Sequence, residues 1–120
     1  MPIHAIDQVQ LAMPLGHEDA ARAFYIGMLG FSEVPKPAEL AARGGVWFRS
    51  GNVALHLGVD AEFRPAVKAH PAFTCTDYGA LLERLNANGV PANGGGTFQG
   101  KPHCYVFDPF GNRLELVADA

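Results

Sequence analysis

The chain has 120 residues, of which 48% are hydrophobic, and a formal net charge of −3. This length fits one domain or two small fused modules, and the composition is sufficient for a hydrophobic core. A negative net charge does not favour binding to nucleic acid or to a membrane surface, and no apolar stretch is long enough for a transmembrane helix. The first residues lack the pattern of a signal peptide, so we expect a cytoplasmic protein in which Cys75 and Cys104 are buried free thiols.

The first half of the chain predicts the order β-α-β-β-β. A strand from Ile6 to Met13 precedes a helix from about Asp19 to Leu29, which stops at Gly30. A strand and loop containing proline follow, from about Ser32 to Ala42. The half closes with two strands, Val46 to Ser50 and Val53 to Gly58, which a Gly-Asn turn joins.

The second half repeats this order. Its strand from His70 to Thr76 leads into a helix that Asp77 begins and Asn88-Gly89 ends, and its final hairpin joins Cys104–Phe107 to Arg113–Val117. We therefore expect one α+β domain of two βαβββ modules, at about 4–59 and 69–119, with a linker at about 60–69. One such module is too small to bury both faces of its sheet, so two must pack together.

Alternation along the strands separates an apolar face from a polar face. The polar set includes two imidazoles, one carboxylate and one amide, at matched places in the two halves: Gln8, His56, His70 and Glu115. These side chains suit a divalent metal, and His56, His70 and Glu115 would also suit iron(II). The alternative is that they are simply solvated on an exposed sheet face.

The same alternation places a second set on the cleft side, where it would shape a substrate: Trp47, Arg49, His103, Tyr105 and Phe107. Arg49 could hold an anionic group or be an ordinary surface arginine. His103 could act as an acid or base beside the metal, or lie solvated at a loop edge. The glycines from Gly94 to Gly96 belong to a mobile lid or a plain connector.

Four segments of the chain resemble the vicinal oxygen chelate superfamily, which includes glyoxalase I, bleomycin- and fosfomycin-resistance proteins and extradiol dioxygenases. They read I-D-Q-V-Q-L-A-M, A-A-R-A-F-Y-I-G-M-L-G-F, H-P-A-F-T-C-T-D and D-P-F-G-N-R-L-E-L, and the resemblance extends from Ile6 to Ala118. It implies a cupped, incomplete barrel around one divalent metal. Gln8 sits where the family most often has His, whereas His56 departs from the Glu of glyoxalase I.

The resemblance implies a glyoxalase-like lyase or isomerase that depends on nickel, zinc, manganese or iron(II) and acts on a small oxygen-rich substrate. Glu115 is then the expected catalytic proton carrier, and a homodimer is the expected assembly, with no nucleic-acid or membrane partner. The short chain and His56 argue against a true glutathione-dependent glyoxalase I. A metal-free binding protein of the bleomycin-resistance type and a ring-cleaving dioxygenase are the alternatives.

Overall fold

A computed structural model describes residues 2–120 and divides them into two compact units. The first unit ends at Arg64, and the second comprises Pro65–Ala120. Each unit holds a four-stranded mixed sheet with one main helix, which confirms the predicted α+β class and its two βαβββ modules. No helix within residues 2–120 is long and apolar enough to cross a membrane.

The first unit consists of four strands and two helices: β1 (Val9–Met13), α1 (Glu18–Tyr25), β2 (Ser32–Val34), α2 (Ala38–Ala41), β3 (Val46–Ser50) and β4 (Val53–Val59). The strand order in its sheet is β1-β4-β3-β2. Strand β1 pairs with β4 in parallel, and the other pairs are antiparallel.

The second unit repeats the arrangement with β5 (Ala72–Cys75), α3 (Tyr78–Ala87), β6 (Thr97–Phe98), β7 (Lys101–Phe107) and β8 (Arg113–Ala118). Its strand order is β5-β8-β7-β6, with β5 parallel to β8. The first and last strands of each unit are therefore neighbours. This adjacency places side chains that are distant in sequence next to each other on one sheet face.

The core of the first unit lies on the apolar face that alternation predicts. The ring of Tyr25 from α1 is fully buried and stacks on that of Phe48 from β3, with centroids 5.4 Å apart. Phe24 and Phe31 surround the same pair. The buried strand residues that complete this core are Leu11, Met13, Val46, Leu55 and Leu57.

The core of the second unit is smaller and centres on Leu85 of α3, which is fully buried. The strand residues buried with it are Cys104, Val106, Leu114, Leu116 and Ala118. Both cysteines are free, as expected, but only Cys104 is fully buried and Cys75 is partly exposed. Burial raises the pKa of both thiols, which keeps them in the unreactive protonated form.

Several element boundaries differ from the sequence-based expectation. Helix α1 ends at Tyr25 because the chain then forms a series of turns that closes at Gly30, whose φ is +82°. The one-turn helix α2 follows Pro37 and is too short to produce a periodic signal. Asp77 precedes α3 as predicted, but its side chain makes no capping hydrogen bond.

The turn from Asp108 to Asn112 fixes the position of β8. The Asp108 carboxylate accepts hydrogen bonds from the backbone N–H groups of Phe110 and Asn112, at 2.9 and 2.8 Å, and from the Asn112 amide at 3.0 Å. Asn112 is fully buried, and its Oδ1 accepts the N–H of Ala66 at 3.0 Å. The hairpin is thereby tied to the segment that leads into β5.

We predict that Asn112→Ala lowers the free energy of unfolding by about 2–3 kcal/mol, because it leaves the Ala66 N–H and one Asp108 oxygen without these partners. Urea unfolding followed by circular dichroism measures the change. The exposed Asn52 occupies the corresponding Gly-Asn turn of the first unit, so Asn52→Ala is the matched control and should cost less than about 0.5 kcal/mol. Equal effects of the two substitutions would contradict this role for Asn112.

Candidate functional site

Glu115 is a carboxylate buried on the polar face of the second sheet, with 8% of its surface exposed. It lies in β8, and its backbone N–H donates to the carbonyl of Pro71 at 3.0 Å. Its Oε1 lies 3.0 Å from Nε2 of His70, and its Oε2 lies 3.0 Å from Nδ1 of His103. One carboxylate thus bridges two imidazoles, each on a different oxygen.

The hydrogen bonds of His70 determine which of its nitrogens carries a proton. Nδ1 lies 2.8 Å from the carbonyl of Lys68, which can only accept, so Nδ1 must donate. In neutral His70, Nε2 then presents a lone pair to an oxygen of Glu115. Two acceptors 3.0 Å apart repel each other unless a proton or a metal cation lies between them.

The hydrogen-bonded imidazoles keep Glu115 ionised. Burial alone raises the pKa of its carboxyl, but the hydrogen bonds from His70 and His103 and their charges outweigh burial, so the pKa lies below its ordinary value. The carboxylate is therefore in the form that accepts a proton or ligates a cation.

Tyr105 closes this cluster from the neighbouring strand, where it pairs with Glu115 in register. Its ring meets the rings of His70 and His103 edge to face, with centroids 5.5 Å apart in both cases. The Arg113 guanidinium lies 4.0 Å above the Tyr105 ring. These contacts restrict the orientations of both imidazoles.

His56 occupies the corresponding place in the first unit, on β4, and is 7% exposed. It pairs in register with Trp47 on β3 and with Gln10 on β1. The rings of His56 and Trp47 stack with centroids 3.9 Å apart and an angle of 3°. Burial lowers the pKa of His56; the charge of Lys36 lowers it further, and that of Asp7 opposes the change. The neutral, lone-pair-bearing imidazole is thereby favoured.

An open groove of about 370 Å³ passes over this part of the first unit. Four sequence-predicted site residues line it: Gln8, Trp47, Arg49 and His56. Arg49 is exposed, and its hydrogen bond to the Gly51 carbonyl is long, at 3.5 Å, so its guanidinium remains accessible to a ligand.

Gln8 and His70 precede the first strand of each unit, whereas the predicted strands Ile6–Met13 and His70–Thr76 included them. Strands β1 and β5 start at Val9 and Ala72, where the parallel ladders to β4 and β8 begin. Both residues therefore lie in the segments that enter the strands, and Gln8 is exposed.

The residue that pairs in register with His56 on β1 is Gln10, which alternation places on the polar face but which is not among the predicted ligands. Its amide lies against Gly58, where a Cβ would come within 2.6 Å of Nε2 of Gln10. The glycine at position 58, two residues after His56, is the sequence signal that could have identified it.

The structure brings the predicted residues together within each unit. Gln8, Trp47, Arg49 and His56 share the first unit's groove, while His70, His103, Tyr105 and Glu115 form the second unit's cluster. Phe107 lies at the end of β7, is 43% exposed and is not among the contacts of that cluster.

The donor atoms of His70 and Glu115 fit a divalent cation. Two ligands at right angles around a metal at ~2.1 Å lie about 3 Å apart, and His70 Nε2 and Glu115 Oε1 are 3.0 Å apart. Within residues 2–120, no three His, Cys, Asp or Glu side chains are arranged to hold a metal by themselves. His103 lies against Oε2 of Glu115, whereas His70 lies against Oε1. His103 is therefore a hydrogen-bond partner of the carboxylate and does not share a metal position with His70.

A duplicated βαβββ protein with metal-donor side chains on the last strand of each unit is the class that this fold and these residues define. A model of the Glyoxalase/Bleomycin resistance protein/Dioxygenase superfamily matches residues 6–116, and the chain belongs to this superfamily. No curated protein matches the chain.

Solved structures support the assignment. A glyoxalase family protein from Bacillus anthracis is 42% identical, with a TM-score of 0.92 over 98% of this chain and 97% of that one. A lactoylglutathione lyase from Agrobacterium tumefaciens is 24% identical, with a TM-score of 0.71 over 99% and 96%. A fosfomycin resistance protein from Listeria monocytogenes is 17% identical, with a TM-score of 0.76 over 98% and 95%. At these identities the last two show a shared fold alone.

The lowered pKa of Glu115 predicts a loss of stability in acid. Its folded-state pKa lies below the ordinary value of 4.5, so its stabilising contribution is complete above that value and is lost as the pH falls through the lower one. Urea unfolding of chelator-treated protein between about pH 6 and about pH 3 should show a steeper loss for the parent than for Glu115→Gln. Identical pH dependence of the two proteins would contradict the ionised, hydrogen-bonded carboxylate.

Proposed function

We propose that this chain is a divalent-metal-dependent enzyme of the glyoxalase type, a lyase or isomerase that acts on a small oxygen-rich substrate. The observation that carries the proposal is the 3.0 Å approach of His70 Nε2 to Oε1 of Glu115, since both are donor atoms that a divalent cation binds. A proton or a metal cation can lie between these two atoms, and the proposal assigns a metal to this position.

Gln8 and His56 are proposed as the remaining ligands. His70 and Glu115 supply two donors, whereas zinc takes four ligands and octahedral metals take six. His56 suits the role because burial favours its neutral form, and Gln8 suits it because its amide is exposed in the same groove. Nickel, zinc, manganese and iron(II) all accept this mixture of nitrogen and oxygen donors.

When bound, the metal supplies Lewis acidity to substrate oxygens and stabilises the negative charge that develops on them. The chain's own contribution is the movement of a proton: Glu115 is ionised, so a carboxylate oxygen can accept a proton from a substrate carbon and return it to a neighbouring one. The exposed Arg49 can hold an anionic substrate group.

His103 is proposed to position Glu115. Its Nδ1–H donates to Oε2, which turns the other oxygen, Oε1, toward His70. Tyr105 restricts the His103 ring through their edge-to-face contact. A ligand carboxylate held in this way loses little conformational freedom when it binds a cation.

A metal-free binding protein of the bleomycin-resistance type is the second candidate. The stacked Trp47 and His56 beside an open groove favour it, because a flat aromatic surface binds planar ligands without a metal. A ring-cleaving dioxygenase with His56, His70 and Glu115 as its triad stays a prediction, as do the homodimer and the cytoplasmic location.

Metal titration separates the first two candidates. Calorimetry of chelator-stripped protein with nickel, zinc, manganese or anaerobic iron(II) should show one tight site per chain. His70→Ala and Glu115→Gln should each weaken binding by at least the roughly 10–100-fold that loss of a ligand-supporting partner costs. The exposed His4 provides the matched control, since His4→Ala also removes one imidazole and should leave affinity unchanged. If both site variants bind metal as tightly as the parent, the metalloenzyme proposal fails.

The positioning role of His103 gives a separate prediction. His103→Phe keeps a ring but removes the donor to Oε2, so metal affinity should fall by about tenfold or more, and His103→Gln, which retains an N–H donor, should recover part of it. The same calorimetric titration measures both. Equal losses in the two variants would show that the ring's packing matters, rather than its hydrogen bond.

A further inference from the structure

A second pocket opens on the polar face of the first sheet and is also lined by Trp47. Its volume is about 210 Å³. Trp47, Gln10 and Gly58 form its sheet wall, and Lys36 and Arg43, which flank helix α2, form the opposite wall. The absence of a side chain at Gly58 leaves the space that the Gln10 amide occupies.

The two charged residues that line this pocket are both cations. The ammonium of Lys36 donates to the carbonyl of Gly44, which holds it in place and leaves its other N–H groups available. Within residues 2–120, neither Lys36 nor Arg43 forms an ion pair. The nearby carboxylate, Glu18, accepts the N–H of Gly45 at 2.8 Å instead. The pocket lining therefore carries two positive charges and no carboxylate.

The pocket and the His56 groove share one lining residue, Trp47. Trp47 lines both of them and stacks on His56. The charge of Lys36 also reaches His56, whose pKa it lowers. A single small molecule could therefore place one end against His56 and another between Lys36 and Arg43.

We propose that Lys36 and Arg43 form a subsite for an anionic group, a carboxylate or a phosphate, on the ligand that this chain binds. A guanidinium and an ammonium together supply several charge-assisted donors to such a group. This proposal rests on the proposed function in one respect: it takes the molecule that carries the anionic group to be the enzyme's substrate. Anion binding at the subsite itself requires no metal.

The chain's single tryptophan, Trp47, makes a direct test possible. Chelator-stripped protein is titrated with inorganic phosphate in one arm and with succinate in the other, at constant ionic strength set by sodium chloride, and Trp47 fluorescence is recorded. We expect a saturable change in at least one arm, and the arm with the tighter binding identifies the anion. Lys36→Gln and Arg43→Gln should each weaken binding about tenfold, since each removes a charged donor.

Two further variants control the experiment. Lys36→Arg keeps the charge and should retain binding, and Arg64→Gln removes an exposed cation of the same unit that does not line the pocket and should bind as the parent does. Circular dichroism confirms that each variant is folded. No saturable change in the parent, or equal affinities in Arg43→Gln and Arg64→Gln, would overturn the subsite. Because the protein is metal-free, this result is independent of whether the metal titration succeeds.

Discussion

The carboxylate of Glu115, buried between His70 and His103, is the constraint on which the second unit depends. A buried charge is costly unless it is paired and hydrogen-bonded, and here both oxygens have a partner at 3.0 Å. Both oxygens reach their partners only if β8 keeps its register with β7, which carries His103, and with the segment before β5, which carries His70. The buried turn at Asp108–Asn112, which also binds Ala66, and the bond from Glu115 N–H to Pro71 set that register.

The two units repeat the fold but differ in chemistry at the matched position. Glu115 pairs in register with Tyr105 and Ala72, whereas His56 pairs with Trp47 and Gln10. The environments shift both groups toward the form that ligates a cation. The lowered pKa of Glu115 favours the carboxylate, and the lowered pKa of His56 favours the neutral imidazole. One repeated backbone therefore supports an anionic donor in one unit and a neutral donor beside an aromatic surface in the other.

Most of the fold could be predicted because period-two alternation and turn residues act locally. They correctly placed His56 and Glu115 on the face opposite the leucines of their strands. They did not predict where the first strands begin, because strand pairing determines this. The parallel ladders begin at Val9 and Ala72, so Gln8 and His70 precede their strands.

The contacts of the candidate site depend on strand register, which no local pattern encodes. The bond from His103 to Glu115 and the stack of Trp47 on His56 both arise in this way. Gln10 was missed for the same reason, since only the pairing of β1 with β4 brings it beside His56. The pocket at Lys36 and Arg43 needed α2, whose single turn is too short to be recognised from periodicity.

The most direct test of the account is an anomalous difference map from crystals of the chelator-stripped protein reloaded with cobalt or nickel. The account predicts a peak about 2.1 Å from both His70 Nε2 and Glu115 Oε1, in place of the direct contact between them. His103 should still donate to Oε2. A map in which the metal lies elsewhere, while His70 and Glu115 remain in direct hydrogen-bonded contact, would contradict it.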